Sequence, residues 1–249
     1  MARSAKPAAK PRKAAAPDTG RAADARLILR LVLRVVGRVA LGIGAAILFF
    51  VLAFAVVNPP VTLTMIGERL RHGPLERDWV PLEYVAPVYA RSVVAAEDAN
   101  FCRHFGFDMA AIRKALDEGA NRGASTITQQ VVKNVFLWQG RSWVRKALEA
   151  AITPMVELIW TKRRILEVYI NVAEMGEGVF GVEAAAQAAF GKPASGLTAQ
   201  EAARLAAVLP DPKVRSAGRP GPLVRRRAVG IMAGAETIRA DGRAACFED

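Results

Sequence analysis

Residues 39–57, VALGIGAAILFFVLAFAVV, form nineteen consecutive positions without a charge. A helix of that length crosses the hydrocarbon core of a bilayer. Just upstream, Leu, Ile and Val fill the positions between Arg26, Arg30, Arg34 and Arg38. A spacing of four puts those arginines on one helical face, continuous with the apolar run. Asn58-Pro59-Pro60 ends the run. From Val88 onward the apolar period is helical. The pattern predicts a helix reaching Glu97, a helix capped by Asp108, and a third starting near Ser125 or Thr126 and running toward Phe136. A long helical stretch follows from Trp143 to Trp160, where Pro154 predicts a bend. Ile165, Val168 and Tyr169 share one face of the next helix. Small residues dominate GVEAAAQAAF. Thr198 and Glu201 form a capping box before a helix that Pro210-Asp211-Pro212 ends. No run of alternating strand pattern appears, so the class is mostly α.

Two other readings of the apolar run are weaker. A cleaved signal peptide has a shorter apolar core and a small-residue cleavage site, whereas Asn58-Pro59-Pro60 follows here. A buried helix of a soluble core usually carries a polar stripe. Residues 1–38 hold ten Lys or Arg against two Asp, a net charge of +8. That bias keeps the tail in the cytoplasm and sends everything after about Asn58 outside it. The expected organisation is a basic cytoplasmic tail at 1–38, a transmembrane helix at 39–57, a membrane-proximal connector at 58–78, an enzyme domain at 79–230 and a C-terminal tail at 231–249. Trp79 fits either an interface anchor or the edge of the domain core.

The formal charge of +12 does not signal nucleic acid. Residues 58–249 carry 25 basic and 21 acidic side chains, and the excess sits in the tail, where anionic lipid headgroups attract it. No zinc-finger or RNA-binding pattern is present, so no nucleic-acid partner is expected. Cys102 and Cys246 make neither a metal set nor a disulfide framework. With Cys246 three residues from the end, two free thiols are the expectation. Only His72 and His104 are present, which excludes a histidine-rich metal centre.

Five polar clusters interrupt the helices. They are Glu97-Asp98 followed by His104; Gly123 through Gln130 with Lys133; Arg145-Lys146 with Glu149 and, farther on, Glu157; Arg164 through Asn171; and Arg215 through Arg227. Taken singly, each reads as solvated surface or helix caps. Together they suggest a cleft holding carboxylates beside cations. Paired carboxylates suit sugar chemistry, and cations beside them suit a phosphate or diphosphate.

In order and spacing the clusters resemble the signatures of the peptidoglycan glycosyltransferases, the monofunctional biosynthetic transglycosylases of Gram-negative bacteria among them. The matching segments are EDANFCRHFGFD, RGASTITQQVVKNVFLW, RKALEAAITPMVE, RRILEVYINVAEMGEGVFGVEAAAQAAFGKPA and, more loosely, RSAGRPGPLVRRR. The resemblance spans about Trp79 to Arg227. It implies a lysozyme-like glycosyltransferase domain behind a single transmembrane helix, in the bacterial inner membrane with its catalytic domain in the periplasm. It also implies lipid II and the growing lipid-linked glycan as substrates, joined by an inverting β-1,4 transfer that releases undecaprenyl diphosphate. Inner-membrane lipids and other wall-synthesis or division proteins are the further partners it suggests.

Residue by residue, the resemblance makes Glu97 the general base toward the acceptor 4-hydroxyl. It puts Glu149 in the donor site, helping the diphosphate depart through a divalent cation, magnesium or manganese; no organic cofactor is expected. Lys133, Arg145 and Lys146 become diphosphate contacts. Asp98, Ser125, Thr126, Gln129 and Gln130 become substrate-binding residues of the cleft. His104, Glu157 and Asn171 read as structural. A lytic transglycosylase would need neither the Ser125–Gln130 run nor the Arg145-Lys146 cluster. A noncatalytic scaffold would not need Glu97 together with Glu149. Only about twenty residues follow Arg227, which leaves no place for a Ser-x-x-Lys transpeptidase site.

Overall fold

The computed structural model describes residues 19–119, 125–140 and 142–248, with side chains from Leu27 onward. Residues 1–18 of the basic tail, the side chain of Arg26, and Gly123 and Ala124 of the second cluster lie outside the described residues. Two compact units divide within the first helix, α1 (Thr19–Phe54), at Ala46 and Ile47. The apolar stretch of α1 runs from Leu27 to Phe54, 28 residues of mean hydropathy 2.4, long and apolar enough to cross a membrane. The arginine positions and the uncharged run as far as Phe54 belong to this one helix, and residues 55–57 of the run lie beyond its end.

The second unit begins with the last turns of α1 and is helical with a small sheet. Its elements are α2 (Leu63–His72), β1 (Glu76–Arg77), α3 (Pro87–Glu97), α4 (Met109–Asp117), α5 (Ile127–Phe136), α6 (Trp143–Ile159), α7 (Lys162–Val172), β2 (Glu174–Gly176), β3 (Val179–Phe180), α8 (Val182–Phe190), α9 (Ala199–Val208), α10 (Pro222–Ala240) and α11 (Ala245–Glu248). Their starts follow the side chains. Asp108 caps α4 by accepting from Ala111 N–H, Ser142 caps α6, Thr161 caps α7, and Thr198 with Glu201 closes the capping box of α9. Pro87 opens α3 at a position where its missing N–H costs nothing. α6 runs through Pro154 unbroken, and the Ala150 carbonyl that Pro154 cannot meet belongs to an exposed residue.

The core lies among α3, α5, α7, α9 and α10, where Tyr89, Val93, Ile127, Val131, Ile165, Tyr169 and Leu205 are fully or almost fully buried. β3 is the middle strand of the sheet, parallel to β1 and antiparallel to β2. These strands are two or three residues long, too short to show alternation in a sequence.

The end of α1 is tied down within this unit. The last carbonyls of a helix have no partner of their own. Trp160 Nε1 donates to Val51 O at 2.7 Å, and the Arg164 guanidinium donates to Phe54 O, Val57 O and Asn58 Oδ1. A cation at a helix C-terminus also complements the macrodipole.

Two expectations need revision, those for the connector and for the cysteines. The connector stretch contains α2, whose Met65 joins the core and whose Glu68 is buried while held by Lys213, Arg71 and His72. Trp79 sits at the domain edge, with the Arg77 and Arg164 guanidinium carbons each 5.7 Å from its ring centre. Cys102 and Cys246 are not free thiols: they form a disulfide. The C-terminal segment is packed, with Phe247 fully buried against Phe101, and this holds the two Cα atoms 5.7 Å apart.

Candidate active site

Glu97 is the last residue of α3, and α5 supplies the groups that face it. On one helix face, three residues apart, α5 presents Gln130 and Lys133. Gln130 Nε2 donates to Glu97 Oε2 at 2.8 Å. Burial raises the Glu97 carboxyl above its ordinary range; Gln130, Arg227 and Lys133 oppose that rise, and Asp98 adds to it. A carboxylate so placed is a stronger base than one in water, while its cationic neighbours favour the ionised form.

Lys133 is half-buried, and desolvation lowers its pKa. Glu149 and Glu97 both pull the other way, and Arg145 and Lys146 add to the lowering. The lysine therefore lies within the electrostatic reach of both glutamates.

Glu149 is buried on α6. The spacing of three and four residues brings Lys146 and Arg145 onto its face. Arg145 Nη1 lies 2.7 Å from Glu149 Oε2, and Lys146 Nζ contacts Oε1. Arg145 is anchored further through Nε to Gly140 O at 2.9 Å, and Lys146 Nζ reaches Ser125 Oγ at 3.4 Å. These residues do not fit a resident metal. Both Glu149 oxygens already hold cations, and among the described residues no group of three His, Cys, Asp or Glu could hold an ion.

The other predicted residues separate into those at the cleft and those turned inward. Glu97, Asp98, Asn100, Asp108, Ser125 and Thr126 line a cleft of about 390 Å³. Asp98 is nonetheless buried; its Oδ1 pairs with His104 Nε2 at 2.8 Å and its Oδ2 accepts Ile127 N–H at 3.0 Å. Thr126 and Gln129 form a reciprocal capping box at the start of α5, and Thr126 Oγ1 donates to Gly106 O at 2.7 Å. Glu157 accepts from Thr128 and Lys162, and Asn171 spans α7 and Val80. Of the predicted residues that remain, Glu97 and Ser125 line this cleft, while Gln130 and Lys133 line a second one of about 190 Å³.

Two contributors carry no site role in the sequence reading. Arg227, on α10, is half-buried with its Nε unpartnered, and it acts electrostatically on Glu97 from about 130 residues away in sequence. It stands third in a run of three arginines, and nothing local distinguishes it from Arg225 and Arg226, which are exposed. Tyr169 is fully buried, and its hydroxyl lies 3.3 Å from Gln130 Oε1. Its periodicity shows the burial but not the hydrogen bond. The fifth cluster also borders a separate cleft of about 560 Å³, where Arg215, Ser216 and Arg219 face Met175 and Val179.

Comparison with known proteins identifies the relatives of this chain. Residues 64–234 match the Transglycosylase family model. The chain is 61% identical to a biosynthetic peptidoglycan transglycosylase of Jannaschia sp. (strain CCS1), over 90% of this chain and 93% of that protein. A protein of the same name from Xanthomonas campestris pv. campestris (strain B100) is 50% identical over 80% of this chain and 85% of its own length. Another, from Rhodospirillum centenum, is 46% identical over 83% and 92%.

Proposed function

The chain belongs to the transglycosylase family, and from that premise we propose how its two glutamates divide the reaction. The protein is a peptidoglycan glycosyltransferase that acts on lipid II and builds glycan strands for the cell wall. Glu97 takes the proton of the acceptor 4-hydroxyl. The freed oxygen attacks the donor anomeric carbon as the bond from that carbon to the diphosphate oxygen breaks. The α-linked donor becomes a β-linked product, and the lipid diphosphate leaves with the electron pair. Arg145, Lys146 and Lys133 balance its charge. Glu149 holds Arg145 and Lys146 in place for that task.

The observation that carries this reading is α5, whose Gln130 donates to Glu97 Oε2 at 2.8 Å and whose Lys133, one turn on along the same face, is within electrostatic reach of both carboxylates. It links the base on one side to the cation cage on the other, the division that a sugar transfer with a diphosphate leaving group needs. The membrane arrangement forms part of the proposal: tail in the cytoplasm, one crossing of the inner membrane, catalytic unit in the periplasm. The +8 tail and the Cys102–Cys246 bridge support it, since disulfides persist in oxidising compartments.

The test is purified protein with labelled lipid II, followed by separation of the polymer and its digestion by lysozyme. Glu97→Gln keeps the size and loses the ability to accept a proton. General-base catalysis contributes about 10²–10⁴ in rate, so this variant should make essentially no polymer. A folded Glu97→Gln protein working at the parent rate would refute the assignment. For topology, a reporter active only in the periplasm, fused after Val57, should give signal; an active cytoplasmic fusion there would overturn the orientation.

A further inference from the structure

We propose that Tyr169 is a positioning residue for the reaction: its buried hydroxyl fixes the Gln130 amide so that the NH₂ end, and not the carbonyl, faces Glu97. The inference rests on the reading of Glu97 as the base. The geometry is a three-member chain across three helices. Tyr169 on α7 donates its O–H to Gln130 Oε1 at 3.3 Å, and Gln130 on α5 donates through Nε2 to Glu97 Oε2 on α3 at 2.8 Å.

The direction of both bonds follows from chemistry. A glutamine amide has one acceptor end and one donor end. Rotated by half a turn, Gln130 would set its carbonyl oxygen against the ionised carboxylate, a repulsive contact. Tyr169 prevents that rotation as long as its hydroxyl remains a donor. Full burial, with Glu97 and Tyr89 nearby, pushes the Tyr169 hydroxyl well above its ordinary pKa, so it stays protonated wherever the enzyme works. No other hydrogen bond of the Tyr169 hydroxyl is present among the described residues, and a buried hydroxyl without a partner is costly. The 3.3 Å separation is long for an O–H···O bond, so the bond lies at the weak end of the range.

The groups facing Glu97 come from every surrounding element. Asp98 follows it in the chain, Tyr89 lies on the same helix, Gln130 and Lys133 come from α5, Tyr169 from α7 and Arg227 from α10. Of these, Gln130 is the one that hydrogen-bonds the carboxylate among the described residues. Its bond favours the ionised form. Losing the bond should therefore raise the Glu97 pKa further. The acid limb of kcat/KM should then move to higher pH, because the base must be ionised to act.

The experiment measures kcat/KM for lipid II polymerisation against pH in four full-length proteins: parent, Tyr169→Phe, Gln130→Met and the double variant. Tyr169→Phe deletes one oxygen from a fully buried ring, so the packing survives. A net hydrogen bond of ordinary strength corresponds to an acid-limb shift of about half to one pH unit. Tyr169→Phe should show an upward shift of up to that size, with activity lost below the limb and largely recovered above it. Gln130→Met should shift at least as far, and the double variant no farther than Gln130→Met alone. A uniform loss at every pH with an unmoved limb would make Tyr169 a packing residue and overturn the proposal. So would additive shifts in the double variant. Failure of the base assignment itself would show separately, as polymerisation by Glu97→Gln.

Discussion

Replacing Gly106 by alanine tests whether the turn carrying it holds the site together. Gly106 has φ +79°, and a Cβ built there would stand 2.6 Å from Thr153 Cγ2 and 3.1 Å from Glu157 Cγ. Both neighbours lie on α6 and both are buried. The left-handed backbone costs an L-residue about 1–2 kcal/mol. Forcing a methyl group into a packed core costs about 1–3 kcal/mol more. Against this, alanine loses less freedom on folding, by about 0.4–1 kcal/mol. The net expectation is about 2–4 kcal/mol of lost stability. Gly191 provides the control: it has φ +66°, and no atom lies within 4 Å of its added Cβ. Gly191→Ala should therefore cost about 1 kcal/mol, from conformation alone. The assay is thermal unfolding of the full chain in detergent, followed by tryptophan fluorescence. At about 2–4 °C per kcal/mol for a unit of this size, Gly106→Ala should lower Tm by roughly 5–15 °C and Gly191→Ala by roughly 2–4 °C. Gly106 O also accepts the Thr126 hydroxyl that caps α5. Polymerisation by Gly106→Ala should accordingly fall even at temperatures where it is folded. Equal Tm losses in the two variants would refute the steric argument.

Glu97→Gln should lose polymerisation and yet unfold no earlier than the parent at pH 7. The folded-state pKa of Glu97 is raised, so ionised Glu97 opposes folding as pH rises through it, and a neutral amide removes that opposition; an inactive variant with a much lower Tm would mean unfolding rather than a lost base. Lys133→Ala should weaken donor-analogue binding several-fold and also move the acid limb of kcat/KM upward, because a cation favouring ionised Glu97 is gone; an unchanged pH profile would disconnect it from the base. Breaking the Cys102–Cys246 bridge, by Cys102→Ser or by reduction, should cost on the order of 2–5 kcal/mol, since the cysteines are 144 residues apart in sequence; an unfolding curve insensitive to reductant would argue against the bridge.

The parts of the fold legible in the sequence were those with a local cause. Asp108, Thr198 and Glu201 announce helix starts because a cap needs a side-chain acceptor at a fixed offset. Spacing alone places Arg145, Lys146 and Glu149 on one face of α6. The disulfide was not legible, because it depends on α11 docking its Phe247 beside Phe101, a contact between distant segments. α2 was hidden because its buried position 68 is a glutamate, which reads as surface until Lys213 is seen to neutralise it. Arg227 and Tyr169 are legible as charge and as core, and only the third dimension brings them to Glu97 and Gln130.

The start of α5 bears on why the proposed reading gives the diphosphate to side-chain cations. A helix N-terminus, with its free N–H groups and positive dipole end, is an available anion site. Here it is already filled from within. Asp98 takes the Ile127 N–H, the Thr126 hydroxyl takes that of Gln129, and the Gln129 side chain takes that of Thr126. An incoming diphosphate would have to displace a buried carboxylate that His104 also holds. The same arrangement fixes the rotation of α5 about its axis, because its first turn is tied to the first cluster at Asp98 and Gly106. With that rotation fixed, Gln130, one turn farther on, meets Glu97, and Lys133 follows on the same face. The internal anion thus fills one anion site and fixes the helix that carries Gln130 and Lys133, and in the proposed mechanism the substrate's charge falls to Lys133, Arg145 and Lys146.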